Sequence, residues 1–265
     1  MKALITGASS GIGRDMARVL SGMGYDLILT ARREDRLLEL KKELPCSVTV
    51  LPFDLTKAQD CHSLYERVRG ERIDVLINNA GYGMFGAFDE SDLERELEMI
   101  DVNIRAVHIL TKLFLRGFVK ANRGYILNVA SSAAFLPGPL MATYYATKAY
   151  VLRLTQAISE ELRRKGSAVS VSVLCPGPVR TEFDSTAGVD FSLKGLSSEY
   201  VARYGIKQMF AKKLVIIPGD QMKAIRFFSR FVSDRLLLRI AYGQQHRKRG
   251  GKPAKSTSRS GTVAQ

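Results

Sequence analysis

The sequence predicts an α/β protein: one domain on a doubly wound parallel sheet, with a helical C-terminal extension. Three observations predict it. Short apolar runs alternate with helix-length amphipathic stretches up to Cys175, as in a parallel sheet covered on both faces. A glycine-rich turn, Gly7–Gly13, lies directly between the first run and the first helical stretch. Runs such as Asp74–Asn78 (DVLIN) are continuous rather than alternating, as expected where both faces of a strand are buried. The length of 265 residues, 46% hydrophobic and 25% charged, suits one large domain and excludes disordered and collagen-like chains.

In order, Lys2–Thr6 is predicted as the first strand, and a helix runs from the turn to about Met23, with Gly24 placed to end it. Asp26–Thr30 is a second strand, Glu34–Glu43 a charged amphipathic helix, Ser47–Pro52 a third strand, and a third helix follows Asp54. After Asp74–Asn78 comes a long helical stretch, Asp92–Lys120, then a strand at Gly124–Val129, a helix at Thr143–Lys165 and a strand at Ala168–Cys175. Six strands with intervening helices make a Rossmann-type architecture. After Pro176 the alternation stops. Thr181–Gly195 suits a mobile loop, Ser197-Ser198-Glu199 caps a helix to about Lys212, and Leu214–Ile217 is a candidate seventh strand. Gln221–Ala241 reads as one more helix, and the Lys/Gly/Ser-rich residues from His246 as a disordered tail. The predicted organisation is a core at 1–182, a lid and last strand at 183–220, an amphipathic helix at 221–242 and a basic tail at 243–265.

The turn Thr6-Gly7-Ala8-Ser9-Ser10-Gly11-Ile12-Gly13 has the spacing G-x-x-x-G-x-G. Its glycines permit a tight turn and close approach of backbone to a pyrophosphate, which the N–H groups and dipole of the helix start then stabilise. The second strand ends Thr30-Ala31-Arg32-Arg33 with no acid before Glu34. A carboxylate there would bond the adenosine ribose 2′-OH of NAD, whereas guanidinium groups suit a 2′-phosphate, so the predicted cofactor is NADP(H). Asp54-Leu55, Asn78-Asn79-Ala80-Gly81 and Asn103 fall where the crevice beyond the strand ends is expected; singly each reads equally well as a cap or turn. Tyr144 and Lys148 stand four apart on one helix face. A free phenol titrates near ~10, and a neighbouring cation favours phenolate, giving a general acid/base. Ser131, just after the fifth strand, is placed to donate to the same substrate oxygen.

These motifs, with Asn128–Ser131 and Pro176–Thr181, occur in the order and at the spacing of the short-chain dehydrogenase/reductase family, which the chain resembles over roughly residues 1–182. The resemblance implies that Tyr144 exchanges the proton, Lys148 lowers its pKa and binds the nicotinamide ribose, Ser131 orients the substrate oxygen and Asn103 holds a relay water. It implies that Thr181 bonds the nicotinamide carboxamide, that Asp54 and Leu55 contact adenine, and that Asn79, Ala80 and Gly81 line the cofactor. Gly7, Ser9, Ser10, Gly11, Ile12 and Gly13, with Pro176, Gly177 and Val179, complete the implied cofactor set. Ser131 is preferred to Ser132 because it precedes Tyr144 by thirteen residues, and Tyr144 to Tyr145 because only it has Lys four residues on. Arg32 fits the NADP-preferring subset, although Ser10 stands where some of those members carry a basic residue. The expected activity is hydride transfer between NADP(H) and a carbonyl or secondary alcohol. Phe183, Phe191, Leu193 and Leu196 point to a lipophilic substrate. The alternative is a non-catalytic NADP(H)-binding sensor or scaffold, which has no need of a pKa-tuned phenol. The family often forms dimers or tetramers through the helices at 92–120 and 143–165, so a homo-oligomer is expected.

The net charge of +14 is local: residues 201–265 hold fifteen Lys/Arg against Asp220 and Asp234, leaving the body near neutral. Without aromatic interleaving or a recognition motif the tail reads as a solvated arm, not a nucleic-acid site. In Gln221–Ala241, Met222, Ile225, Phe228, Val232 and Leu236 recur at helical spacing among Lys223, Arg226, Arg230 and Arg235. That spacing favours a helix covering the substrate pocket or a subunit interface, and its cations admit a second role, peripheral contact with the inner face of an anionic membrane. No run approaches the ~18–20 apolar residues of a spanning helix. The turn at Gly7 leaves no room for a signal peptide, and Cys46, Cys61 and Cys175 have neither metal-ligand nor disulfide spacing. A cytoplasmic protein with reduced thiols and no metal is expected.

Overall fold

Residues Leu4 and Ile5 set the architecture. Both are fully buried, but neighbours on a strand face opposite ways, so Ile5 joins one core and Leu4 another. They lie on β1 (Lys2–Thr6), which pairs in parallel with β2 (Asp26–Thr30) on one side and β4 (Val75–Asn78) on the other. The structure, a computed structural model, describes residues 1–182 and 195–247. Most of the predicted loop Thr181–Gly195, including Phe183, Phe191 and Leu193, lies outside the described residues, as does the tail from residue 248.

With β3 (Val48–Val50), β5 (Tyr125–Val129), β6 (Ser170–Leu174) and β9 (Val215–Ile216), the strands form one seven-stranded parallel sheet ordered β3-β2-β1-β4-β5-β6-β9. It is the doubly wound sheet the sequence predicts. On one face α1 (Gly11–Gly22), α2 (Glu34–Glu43) and α7 (Ser198–Phe210) bury Met16, Leu20, Leu37 and Ile206 against it. On the other, α3 (Ala58–Val68), α5 (Val107–Ala121) and α6 (Ala142–Arg164) bury Leu64, Leu110, Phe114 and Leu162. The chain runs outward from β1 to β3, then crosses back to β4. That reversal opens a crevice at the carboxyl ends of β1 and β4.

Three elements differ from expectation. The stretch 92–120 is not one α-helix: a π-helical turn, Asp101–Ala106, joins α4 (Leu93–Ile100) to α5. One inserted residue leaves the amphipathic pattern readable, so the period does not reveal it. The helix expected over 221–241 is two: α8 (Asp220–Phe228) and α9 (Asp234–Arg247), separated by a 3-10 turn at Ser229–Phe231 and an extended Val232. The N–H groups of Leu236 and Leu237 donate to the Ser233 carbonyl, so Ser233-Asp234 starts a new helix. A short parallel pair, β7 (Val179–Arg180) with β8 (Leu196–Ser197), was not foreseen at all.

Beneath the crevice lies a buried polar layer. Asn78 Nδ2 donates to Asn128 Oδ1 at 2.8 Å and to Thr111 Oγ1 at 3.0 Å, and Asn128 Nδ2 donates to Thr155 Oγ1 at 3.0 Å. Two strands and two helices are thereby pinned under the site. Asn128→Ala orphans groups that water does not reach, at a cost of about 2–3 kcal/mol. Urea denaturation should show a lower midpoint with an unchanged slope.

Candidate active site

On the phosphate side, Gly7 and Gly11 hold positive φ values of 64° and 53°, open to glycine at little cost. A Cβ on Gly13 would stand 2.4 Å from both Asn79 Nδ2 and Gly7 O. That crowding has a purpose: Asn79 Nδ2 donates to the carbonyls of Thr6 and Gly7 at 3.0 Å each, and Thr6 Oγ1 accepts the N–H groups of Asn79 and Ala80, also at 3.0 Å. The turn is stitched to the end of β4. Ser10 makes no side-chain cap to α1, and the first turn of that helix carries no acid. Its positive end is therefore suited to an anion, and the donor set fits the pyrophosphate of a dinucleotide.

The two arginines after β2 separate. Arg33 reaches back to the turn, its Nη2 donating to Ser10 Oγ at 3.1 Å and Ser9 Oγ at 3.3 Å, and its Nη1 to Glu182 Oε2 at 3.0 Å. Arg32 is exposed, and its charge bears on the Tyr82 phenol instead. Arg36, which the sequence reading passed over, stands one turn along α2 from Arg33 and also pairs with Glu182. The two guanidinium groups, Arg36 first, hold the Glu182 carboxyl below its ordinary value. Spacing of i, i+3 from Arg33 was the available signal.

On the opposite wall, Ser131 lies two residues beyond β5 in extended backbone, capping a 3-10 turn at Ser132–Phe135; its Oγ accepts the Ala133 N–H at 3.1 Å and hydrogen bonds the Tyr144 phenol. Tyr144 is 8% exposed and Lys148 5%. Lys148 Nζ donates to the Val129 carbonyl at 3.2 Å and lies 5.7 Å from the centroid of the Tyr144 ring. A Cβ on Gly81 would stand 3.3 Å from that ammonium and 2.5 Å from Asn103 Oδ1. The β4 wall, with Ala80 and Gly81, thus closes directly on the α6 groups. Asn103 sits in the π-helical turn. Its Oδ1 accepts the Tyr82 N–H at 3.1 Å, and its Nδ2 donates to Tyr82 O at 2.9 Å and Thr147 Oγ1 at 3.0 Å. Its side chain is a tie between three segments. Thr147, a partner the sequence reading missed, was marked only by its place beside Lys148 on α6.

The electrostatics differ from expectation. Burial pushes the Tyr144 phenol well above its ordinary value, outweighing the Ser131 hydrogen bond, and lowers Lys148 from 10.5 to about 8. Both groups are removed from water, and each pays more for its charged form than the pair recovers. Burial also pushes the thiols of Cys61 and Cys175 up to about 12, which leaves them unreactive.

The remaining candidates are distributed unequally. Asp54 Oδ1 accepts the N–H and hydroxyl of Thr56, forming the turn into α3, and Leu55 is buried with the core on that face. Ile12 packs against the opposite core. The Pro176 carbonyl accepts the Ser132 N–H at 2.7 Å, and Gly177 packs against Met222 of α8. Val179 is buried on β7, and Thr181 lies over the turn, its methyl 3.1 Å from where a Cβ on Gly11 would stand.

A doubly wound sheet with a glycine turn on one lip of its crevice and a buried Ser/Tyr/Lys cluster on the other defines an oxidoreductase of the nicotinamide-dinucleotide class. The family model described as short chain dehydrogenase matches residues 1–190, and the chain belongs to the short-chain dehydrogenase/reductase family. An uncharacterized oxidoreductase of Staphylococcus epidermidis is 34% identical over 76% of this chain and 86% of its own length. A very-long-chain 3-oxoacyl-CoA reductase of Pyrenophora tritici-repentis is 33% identical over 62% of this chain and 51% of its own. Among solved structures, a short-chain dehydrogenase from Sphingobium yanoikuyae in complex with NADPH is 31% identical, with a TM-score of 0.77 covering 97% of this chain and 99% of that one. A Burkholderia phymatum member in complex with NAD is 25% identical, with a TM-score of 0.78 covering 85% and 91%.

Proposed function

We propose that the protein transfers hydride between NADP(H) and a carbonyl or secondary alcohol of a lipophilic small molecule. The observation that carries this reading is the buried Ser131–Tyr144–Lys148 cluster facing the glycine turn across one crevice. The cofactor, when bound, supplies the hydride. Tyr144 exchanges a proton with the substrate oxygen, Ser131 hydrogen bonds that oxygen, and Lys148 binds the nicotinamide ribose. Asn103, through Tyr82 and Thr147, holds the wall behind them. The Tyr144 phenol, kept protonated by burial, can give its proton to the carbonyl oxygen in reduction, and as phenolate would take it from the alcohol in the reverse reaction.

The preference for NADP(H) rests on Arg33 beside Ser9 and Ser10, a donor set shaped for a 2′-phosphate. Relatives in complex with NADPH and with NAD both exist, so the test must discriminate. Arg33→Ala should weaken NADPH binding ~10–100-fold, the worth of a charged hydrogen bond or two, and leave NADH binding unchanged in titration calorimetry. The lipophilic substrate class is supported by the 3-oxoacyl-CoA reductase relative and by a structural neighbour described as a bulky-bulky ketone specific alcohol dehydrogenase from Comamonas testosteroni. NADPH oxidation across 3-oxoacyl thioesters and bulky ketones, with NADH as control, tests the whole reading. Tight NADPH binding with no turnover across that panel would favour the sensor instead.

We also propose a cytoplasmic homo-oligomer, paired through the exposed apolar Leu97, Val119 and Tyr150 on α4, α5 and α6. No helix among the described residues is long and apolar enough to cross a membrane.

A further inference from the structure

The C-terminal extension behaves as two surfaces. The start of α8 packs on the body: Met222 and Ile225 lie against the core that includes Ile217, and the Arg226 guanidinium lies 5.0 Å from the centroid of the Phe135 ring. Beyond Arg226 the apolar side chains turn outward. Phe227, Phe228 and Phe231 are 55%, 63% and 75% exposed, with ring centroids 5.4 Å apart from Phe227 to each of the others. On α9 the exposed Leu236 and Ile240, four apart, share one face, while the exposed Leu238 and Tyr242 lie on the opposite flank. Phe228 and Leu236, expected from their spacing to lie against the body, do not. This ridge is anchored at both ends, because Gln245, 3% exposed near the end of α9, donates to Tyr145 Oη at 2.7 Å.

We propose that this ridge is a docking surface for an anionic lipid membrane, with the three phenylalanines entering the boundary between headgroups and acyl chains. Charge chooses the occupant. Over α8 and α9, residues 220–247, the sequence carries six Lys/Arg against two acids, Asp220 and Asp234, and Asp220 pairs with Lys223. A second copy seated on the ridge would set like charge against like charge, which disfavours association. A nucleic acid would meet the cations but leave Leu236 and Ile240 with nothing apolar to cover them. An anionic bilayer satisfies both at once, since aromatic and aliphatic side chains enter the interface while lysines and arginines meet the headgroups. The proposal is independent of the catalytic reading, and an inactive chain would dock equally well.

Flotation of the full chain with vesicles of phosphatidylcholine and phosphatidylglycerol at three to one, against phosphatidylcholine alone, tests it. We expect at least ~10-fold greater partitioning to the anionic vesicles, weakened by high salt as screening requires. The variant Phe227→Ser/Phe228→Ser/Phe231→Ser should lose ~10-fold or more of that partitioning. These side chains are exposed, so the melting temperature should not move. The chain contains no tryptophan, so Phe228→Trp provides a single tryptophan whose emission, excited apart from the tyrosines, should shift to the blue only with anionic vesicles. Absence of flotation would overturn the proposal. So would flotation undiminished in the triple variant, which would assign binding to tail charge alone. Self-association abolished by the triple variant without vesicle binding would assign the ridge to a second copy. Binding to single-stranded RNA in place of vesicles would assign it to nucleic acid.

Discussion

Tyr144→Phe is expected to lower kcat by ~10²–10⁴-fold, the usual worth of a positioned general acid, while NADPH binding stays within a few-fold of the parent. The substitution removes one oxygen and nothing else. Ser131 keeps the Ala133 N–H donating to its Oγ, so the wall of the site should hold and the melting temperature should barely change. Single-turnover reduction with saturating NADPH isolates the chemical step. Turnover within a few-fold of the parent would remove Tyr144 from the proton-transfer role, whatever the substrate proves to be.

Lys148→Met should do two opposite things: abolish turnover and stabilise the fold near neutral pH. Burial lowers Lys148 from 10.5 to about 8. Between those values the unfolded chain binds the proton more readily than the folded one, so this group's contribution to stability rises with pH across that window. Below about pH 8 the protein carries an ammonium it would fold more easily without. At ~1.4 kcal/mol per unit, the penalty at pH 7 is on the order of 3 kcal/mol. Methionine keeps the unbranched stem and omits the charge. Its melting temperature at pH 7 should rise by about 5 °C, and the advantage should shrink toward zero as pH approaches 10.5. Thermal melts at pH 7 and pH 10 check the sign. A variant less stable at pH 7, or still active, would contradict the role given to the buried cation.

How much was readable in advance follows from what each signal encodes. The doubly wound parallel sheet was readable because continuous apolar runs and the turn after β1 leave few topologies for a right-handed parallel sheet. That Tyr144 and Lys148 share one face of α6 was readable because the i, i+4 spacing survives any choice of helix ends, whereas Ser131 was placed only by its thirteen-residue separation from Tyr144 in the family pattern. The π-helical turn holding Asn103 was not readable, since one added residue barely disturbs an amphipathic stripe. The break at Val232 was missed because apolar periodicity ran through it, although Ser233-Asp234 was a start signal in plain view. Arg32 and Arg33 are adjacent in sequence and differ only in direction, which the strand end decides. The titration of Tyr144 came out reversed because sequence displays a neighbouring charge and conceals the loss of water around both groups.

The stitching of the glycine turn carries a kinetic consequence. Asn79 and Thr6, whose bonds shape that turn, are separated by 73 positions in the chain. The loop must hence take its form late, after a distant segment has returned to dock beside β1, because contacts so far apart along the chain are slow to close. A nascent chain released before β4 is made would display every glycine of the turn and recognise no dinucleotide. Acquisition of nucleotide affinity during refolding should then trail the formation of helices, marking arrival at the native topology rather than the onset of collapse.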